Sequence, residues 1–239
     1  MTVPGDVDRP QAVTVFGACL ATESDTVRLL DDLIVRVGTD PASASHSYVS
    51  YRAAKQDLAE IGDQLHPTSH GRPAQSSHAF SKSEFFERPL PTEAVARLVD
   101  NLRTQNVPGQ ARELDFTPWG GAYNRVPADA TAFAHRNARF LLKHEVRVDP
   151  TASPDERGVA RRWLARSWVS VHPWGSGGVY PNFPDPDLKD WGLAYYGTNY
   201  DRLVRIKQRY DPDNFFAFQH SLPGHPEAGS AGDNDVIGA

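Results

Sequence analysis

Ala138-Arg139-Phe140-Leu141-Leu142-Lys143-His144-Glu145-Val146-Arg147-Val148, followed by a helical pattern over 154–168, is the stretch that decides the fold. Apolar residues with polar ones interposed toward the end read as a long strand, since alternate side chains of a strand face opposite sides of a sheet. The pattern that follows puts Val159, Trp163 and Leu164 on one helical face and leaves Arg161, Arg162 and Arg166 for solvent. A one-faced helix after a strand needs a sheet surface to cover.

Working outward, Glu113-Leu114-Asp115-Phe116-Thr117-Pro118-Trp119 alternates in polarity and Ala79-Phe80-Ser81-Lys82-Ser83 reads as a further strand. Between them, after Pro91, the spacing of Ala94, Val95, Leu98, Val99 and Leu102 predicts a helix. Nearer the N-terminus, Ala12-Val13-Thr14-Val15-Phe16-Gly17 is expected to be a strand, and Glu23-Ser24-Asp25 to open an amphipathic helix carrying Val27, Leu29, Leu30, Leu33 and Ile34. A Pro-, Ser-, Gly- and His-rich stretch over 66–78 reads as a surface loop. These runs lack a strict βαβ cadence, so the expected fold class is α+β, an antiparallel β-sheet with helices packed on one face. A last helix is expected over 199–210, where Tyr200, Leu203, Ile206 and Tyr210 form a stripe. Asp201 suits its positive end and Arg205, Lys207 and Arg209 its negative end, before Asp211-Pro212 stops it.

A length of 239 residues suits one α+β domain with tails. The expected boundaries are a flexible tail over 1–10, the domain over 11–190, a C-terminal segment over 191–223 and a disordered tail over 224–239.

The net charge of -5, with Lys and Arg scattered, gives no basic stripe for phosphates, so nucleic acid is not an expected partner. A single cysteine, Cys19, allows no intramolecular disulfide and no thiolate metal site, and its apolar neighbours suggest a buried structural thiol. No apolar run approaches the ~20 residues that span a bilayer. The acidic N-terminus is unlike a secretory signal, which makes a cytoplasmic location the expectation. His66-x3-His70 has metal-ligand spacing but stands in the Pro- and Ser-rich loop, and no metal is expected. Gly175-Ser176-Gly177-Gly178 is no dinucleotide fingerprint, having no strand leading in and no clear helix following.

Tyr195-Tyr196-Gly197-Thr198-Asn199-Tyr200-Asp201-Arg202-Leu203, then Tyr210-Asp211-Pro212-Asp213-Asn214-Phe215-Phe216 and Ser221-Leu222-Pro223, resembles the terminal signature of the berberine bridge enzyme-like FAD-linked oxidases. Gly120-Gly121-Ala122-Tyr123-Asn124-Arg125-Val126 and the following Phe133-Ala134-His135-Arg136 resemble that family's substrate-side strand and turn. Gly178-Val179-Tyr180-Pro181-Asn182-Phe183 resembles its Tyr-x-Asn-Tyr motif, with Phe183 where many relatives carry a tyrosine base.

The resemblance implies that this chain is the C-terminal, substrate-binding half of such an oxidoreductase, its FAD-binding domain lying outside the chain. FAD would then be bound only with a partner FAD-binding domain, and the chain alone is not expected to be an oxidase. It implies flavin-facing roles for Asn199 and Tyr200, and a substrate pocket lined by Trp119, Gly121, Tyr123, Asn124, Trp174 and Phe183. Phenylalanine cannot relay a proton, so Tyr180, Tyr200 or a residue of the partner would have to replace the missing base, and Tyr180 and Tyr200 are the phenols placed for it by sequence. His135 is expected to hold structure by hydrogen bonding. The expected partners are an FAD-binding domain protein or a second copy through the C-terminal segment, and a small-molecule substrate, with no membrane. The alternative is a flavin-independent ligand-binding protein or cofactor-free cyclase acting on a secondary metabolite; a third reading is a decayed fragment.

Overall fold

The structure, a computed structural model, describes residues 1–4, 13–65, 78–104 and 107–224, and the chain divides into two compact units, 14–76 and the remainder. In chain order the elements are β1 (Thr2–Pro4), α1 (Glu23–Val37), α2 (Tyr51–Leu65), β2 (His78–Phe86), α3 (Thr92–Arg103), β3 (Gln110–Pro118), β4 (Phe140–Val148), α4 (Pro154–Val169), α5 (Trp191–Tyr196) and α6 (Tyr200–Tyr210).

The smaller unit holds α1 and α2. Thr22 is the N-cap of α1, its Oγ1 accepting from the Asp25 N–H at 3.2 Å, and Gly38 closes the helix in the left-handed region at φ 72°.

The larger unit is built on an antiparallel sheet of order β1-β3-β4-β2. Its centre is β4, where Leu142 faces both Glu84 of β2 and Phe116 of β3. Period two sorts the strand: Leu142, Val146 and Val148 bury with Phe86 and Leu114 against Ala94, Leu98 and Leu102 of α3 and Ala160, Trp163 and Leu164 of α4. Each large apolar side chain buried there contributes ~1.5–3 kcal/mol. Trp163 Nε1 donates to the Asn101 carbonyl at 2.9 Å, tying α4 to α3. Ser153 and Glu156 cap α4 reciprocally, through Glu156 N–H to Ser153 Oγ (3.3 Å) and Ser153 N–H to Glu156 Oε2 (2.7 Å). Within the same core layer lies His144, whose Nδ1 is 2.8 Å from Ser167 Oγ; burial holds its pKa down to about 3, so it is a neutral core imidazole. The expected α+β class, with an antiparallel sheet and helices on one face, is what the chain adopts.

Four local expectations are corrected. Thr2–Pro4 is not tail: it pairs with β3, Val3 opposite Leu114, because the outer edge of β3 offers backbone groups to pair; residues 5–10 lie outside the described residues. The strand expected at 12–17 is absent over the described 13–17 apart from one bridge at Thr14. Val13 and Val15 are 59% and 56% exposed, and β-branched residues favour a strand chiefly when there is a surface to pack on. Cys19 is exposed rather than buried. Gly121–Arg125 is a 3₁₀ turn, not a strand, since Gly121 takes φ 70° and leaves the β region. The 66–77 part of the expected loop, with His66 and His70, and the tail 225–239 lie outside the described residues, while His78 begins β2.

Candidate functional site

The sheet face away from α3 and α4 carries a second cluster. Phe85, Leu141 and Ala138 are buried there, with Trp119, Phe133, Tyr180 and Phe183 packed on them. Phe85 and Phe86 are sequence neighbours on opposite faces, so one strand feeds both clusters. The rings meet mostly edge to face: Trp119 lies 5.1 Å from Phe85, 5.4 Å from Tyr180 and 5.0 Å from Tyr123, and Tyr180 lies 5.3 Å from Phe183. The result is an aromatic shelf over one end of the sheet.

Local chemistry builds each wall. The 3₁₀ turn swings Tyr123 onto Trp119, and Arg136 spans the wall with its guanidinium 4.8 Å from the Tyr123 ring and 5.0 Å from the Phe133 ring. Arg136 also donates to the Tyr123 carbonyl (3.2 Å) and to Thr131 Oγ1 (2.7 Å). Burial raises the Tyr123 phenol pKa, keeping it protonated. Asn124 turns inward, its Nδ2 donating to the Ala138 carbonyl at 2.8 Å. On the other wall, Asn182 Nδ2 donates to Tyr180 Oη at 2.9 Å and fixes that phenol.

Farther along the same face the strands become charged. Lys143 stands over Phe183, Nζ 5.1 Å from the ring, and donates to Glu145 Oε2 at 2.9 Å, with Arg147 also paired to Glu145. Glu113 is the cross-strand partner of Glu145; burial first, then that neighbouring carboxylate, push its pKa up to about 7. Burial likewise raises Asp115.

Residues 179–223, from the Tyr180 arm through α6, match the family model "Berberine and berberine like". The chain belongs to the berberine bridge enzyme-like family. Among its relatives, the "uncharacterized FAD-linked oxidoreductase YvdP" of Bacillus subtilis (strain 168) is 30% identical over 213 residues, 87% of this chain and 43% of that protein. The "uncharacterized FAD-linked oxidoreductase YgaK" of the same organism is 36% identical over 141 residues, 58% of this chain and 30% of its own length. The solved structure of Physcomitrella patens BBE-like 1 shares the fold with a TM-score of 0.68 at 21% identity, over 85% of this chain and 43% of that one. The chain thus spans less than half the length of these proteins.

Of the expected site residues, Trp119, Tyr123, Tyr180 and Phe183 come together at the shelf, Asn124 bonds to the Ala138 carbonyl beside it, and Gly121 is exposed in the turn that carries Tyr123. Trp174 does not join them: it packs on the helix-side core with Arg97 5.6 Å above its ring, because its 3₁₀ turn follows α4 on that side. Asn199 and Tyr200 stand elsewhere. Asn199 is buried, its Nδ2 donating to the carbonyls of Ala128 (2.7 Å) and Thr131 (3.0 Å), so both amide hydrogens are committed to a loop rather than offered to a flavin. Tyr200 packs edge-on against Trp191 at 5.8 Å, over Gly192, and so is not beside Phe183 as a replacement base should be. His135 holds structure as expected, its Nε2 donating to the Tyr195 carbonyl at 3.0 Å and its ring stacked on Phe85 at 4.7 Å.

Sequence reasoning missed Phe85, Phe133 and Lys143. Phe133 opens the Phe133-Ala134-His135-Arg136 motif and could have been found there. As to FAD itself, the shelf's rings suit one face of a planar group. The only glycine-rich loop among the described residues wraps a carboxylate, Glu84, and offers no cradle for phosphates. The fit is to the ring end of the cofactor only.

Proposed function

We propose that this chain is the substrate-binding half of a berberine bridge enzyme-like FAD-linked oxidoreductase, working with an FAD-binding domain carried elsewhere. The observation that carries this reading is the aromatic shelf on the open sheet face, in a chain whose matched segment ends in uncovered rings. Phe215, Phe216 and Phe218 are 82%, 70% and 70% exposed. Asp211 turns them outward: its carboxylate, held by Lys207, accepts from the N–H groups of Phe215 (2.7 Å) and Phe216 (3.1 Å). Exposed aromatic clusters of this kind favour a protein partner, and the FAD-binding domain is the one the relatives' extra length supplies.

In this reading the small-molecule substrate lies on Trp119, Tyr123 and Phe183, and FAD, when present, takes the hydride. Tyr180 is the shelf phenol we assign to proton transfer, since Phe183 cannot serve and Tyr200 stands apart. A cytoplasmic protein of secondary metabolism is the setting we infer.

The test is the visible absorption spectrum of the purified chain, alone and after co-expression with an FAD-domain protein encoded beside it. A flavin band that appears only with the partner is expected. A folded protein with no band under either condition overturns the reading.

The second reading, flavin-free ligand binding or cyclisation on the same shelf, is favoured by Phe183, which stands where the resemblance implies a tyrosine base, and by Asn199, which spends its amide hydrogens on Ala128 and Thr131. Ligand binding by the flavin-free chain would support it.

A further inference from the structure

Glu84 is a carboxylate with 0% exposure, in the strand that also supplies Phe85 to the shelf. It lies in a shell of backbone. Gly177 N–H donates to Oε1 at 3.0 Å, and His172 Nδ1 lies 3.1 Å from Oε1 and 3.0 Å from Oε2, its ring stacked on Trp168 at 4.2 Å. A Cβ on Gly175 would come within 2.0 Å of Oε1, so any larger residue there has to displace the Glu84 carboxylate. Gly178 is confined on the other side, where a Cβ would meet His135 Nδ1 at 2.4 Å. Gly175-Ser176-Gly177-Gly178 is therefore shaped by two side chains, with Gly177 at φ 77° making the turn between them.

The same four residues dock on the free edge of β2. Ser176 N–H donates to the Phe85 carbonyl (2.9 Å) and Phe85 N–H to the Gly178 carbonyl (2.8 Å). Two residues later, Tyr180 N–H reaches Ser83 Oγ at 3.4 Å, and the Tyr180 ring joins the shelf. That last hydrogen bond is long, so the arm is held by its neighbours, the glycine loop upstream and Val179 N–H, which donates to the Ala194 carbonyl at 2.8 Å.

We propose that Glu84 is a positioning residue for the Tyr180–Phe183 arm: its buried carboxylate fastens the glycine loop to β2 and thereby sets where the Tyr180 phenol stands on the shelf. This rests on the reading of the shelf as the substrate side. Burying a carboxylate costs several kcal/mol unless its oxygens are matched by donors. Here the Gly177 N–H and His172 match them, so removing the carboxylate takes away the side-chain fastening of the loop and leaves its position to the two backbone bonds with Phe85.

The test uses the full chain labelled with 3-fluorotyrosine, the Tyr180 resonance being assigned among the 8 tyrosines by its loss in Tyr180→Phe. In Glu84→Ala the Tyr180 signal is expected to leave its native position for that of a solvated phenol, while Tyr200, packed on Trp191, stays in place. Glu84→Gln keeps an oxygen for Gly177 N–H and is expected to restore the native Tyr180 signal. Should Glu84→Ala not fold, Glu84→Asp, whose carboxylate stops one methylene short, carries the same expectation of a displaced Tyr180 signal. A native Tyr180 signal in a folded Glu84→Ala or Glu84→Asp protein overturns the proposal, as does joint displacement of Tyr180 and Tyr200, which would mean general loosening. The readout needs no flavin, so its failure is separate from failure of the co-expression test.

Discussion

Asn199 and Ala128, 71 residues apart, are joined by a 2.7 Å hydrogen bond from the buried side-chain amide to the backbone carbonyl, with a second from the same nitrogen to Thr131. The segment matching the berberine bridge enzyme-like family thus holds the 128–131 stretch leading to Phe133, and Arg202 adds a bond to the Asp129 carbonyl at 3.0 Å. Asn199→Ala leaves two carbonyls without their donor and should cost about 1–3 kcal/mol. Asn199→Asp, which brings an acceptor against acceptors, should cost more. Urea unfolding measures both; a neutral Asn199→Ala would mean that the clamp contributes nothing.

Gly175 and Glu84 give a prediction with a built-in control. Gly175→Ala drives a methyl into a buried carboxylate and should destabilise the chain by more than about 2 kcal/mol. Adding Glu84→Ala to that variant removes the obstacle and should return part of the loss, as a double-mutant cycle in thermal unfolding would reveal. Strict additivity would contradict the packing described here.

Acid should act on the chain through His144. Its unfolded value near 6.5 falls to about 3 in the fold, so below 6.5 the unfolded chain takes a proton that the folded chain refuses. Stability is lost as the pH falls from 6.5 toward 3, by up to about 1.4 kcal/mol per pH unit. The pair His144→Leu with Ser167→Ala removes both polar partners and should flatten the stability profile across that window. Parallel profiles for parent and variant would refute this role.

Glu113 acts in the opposite sense. Its pKa rises from 4.5 to about 7 on folding, so its contribution to stability is whole below 4.5 and is lost as the pH climbs through 7. Glu113→Gln holds the side chain neutral, and its melting temperature relative to the parent should rise between about pH 5 and pH 8. A constant difference would place the titration elsewhere.

The sequence by itself determined the elements whose signals are local. Ala94, Leu98 and Leu102 recur at helical spacing and bury the inner face of α3, and β4 is an apolar run with polar residues interposed toward its end. It also determined membership of the berberine bridge enzyme-like family and four rings of the shelf, because Trp119, Tyr123, Tyr180 and Phe183 stand in short motifs, while Phe85 beneath them does not. Tertiary structure decided which face each residue serves. Trp119 and Trp174 look alike as pocket candidates, yet the sheet separates them, since facing depends on how turns enter and leave it. The strand expected at 12–17 failed for the complementary reason: β-branched residues need a surface, and no local pattern supplies one. Asn199 reads as a flavin contact until its partners, 68 and 71 residues away, are in place. The glycines at 175–178 acquire a cause only when Glu84 and His135, from distant parts of the chain, close around them. Hydrogen-bond partners and excluded volume belong to the folded surface, and a linear pattern does not carry them.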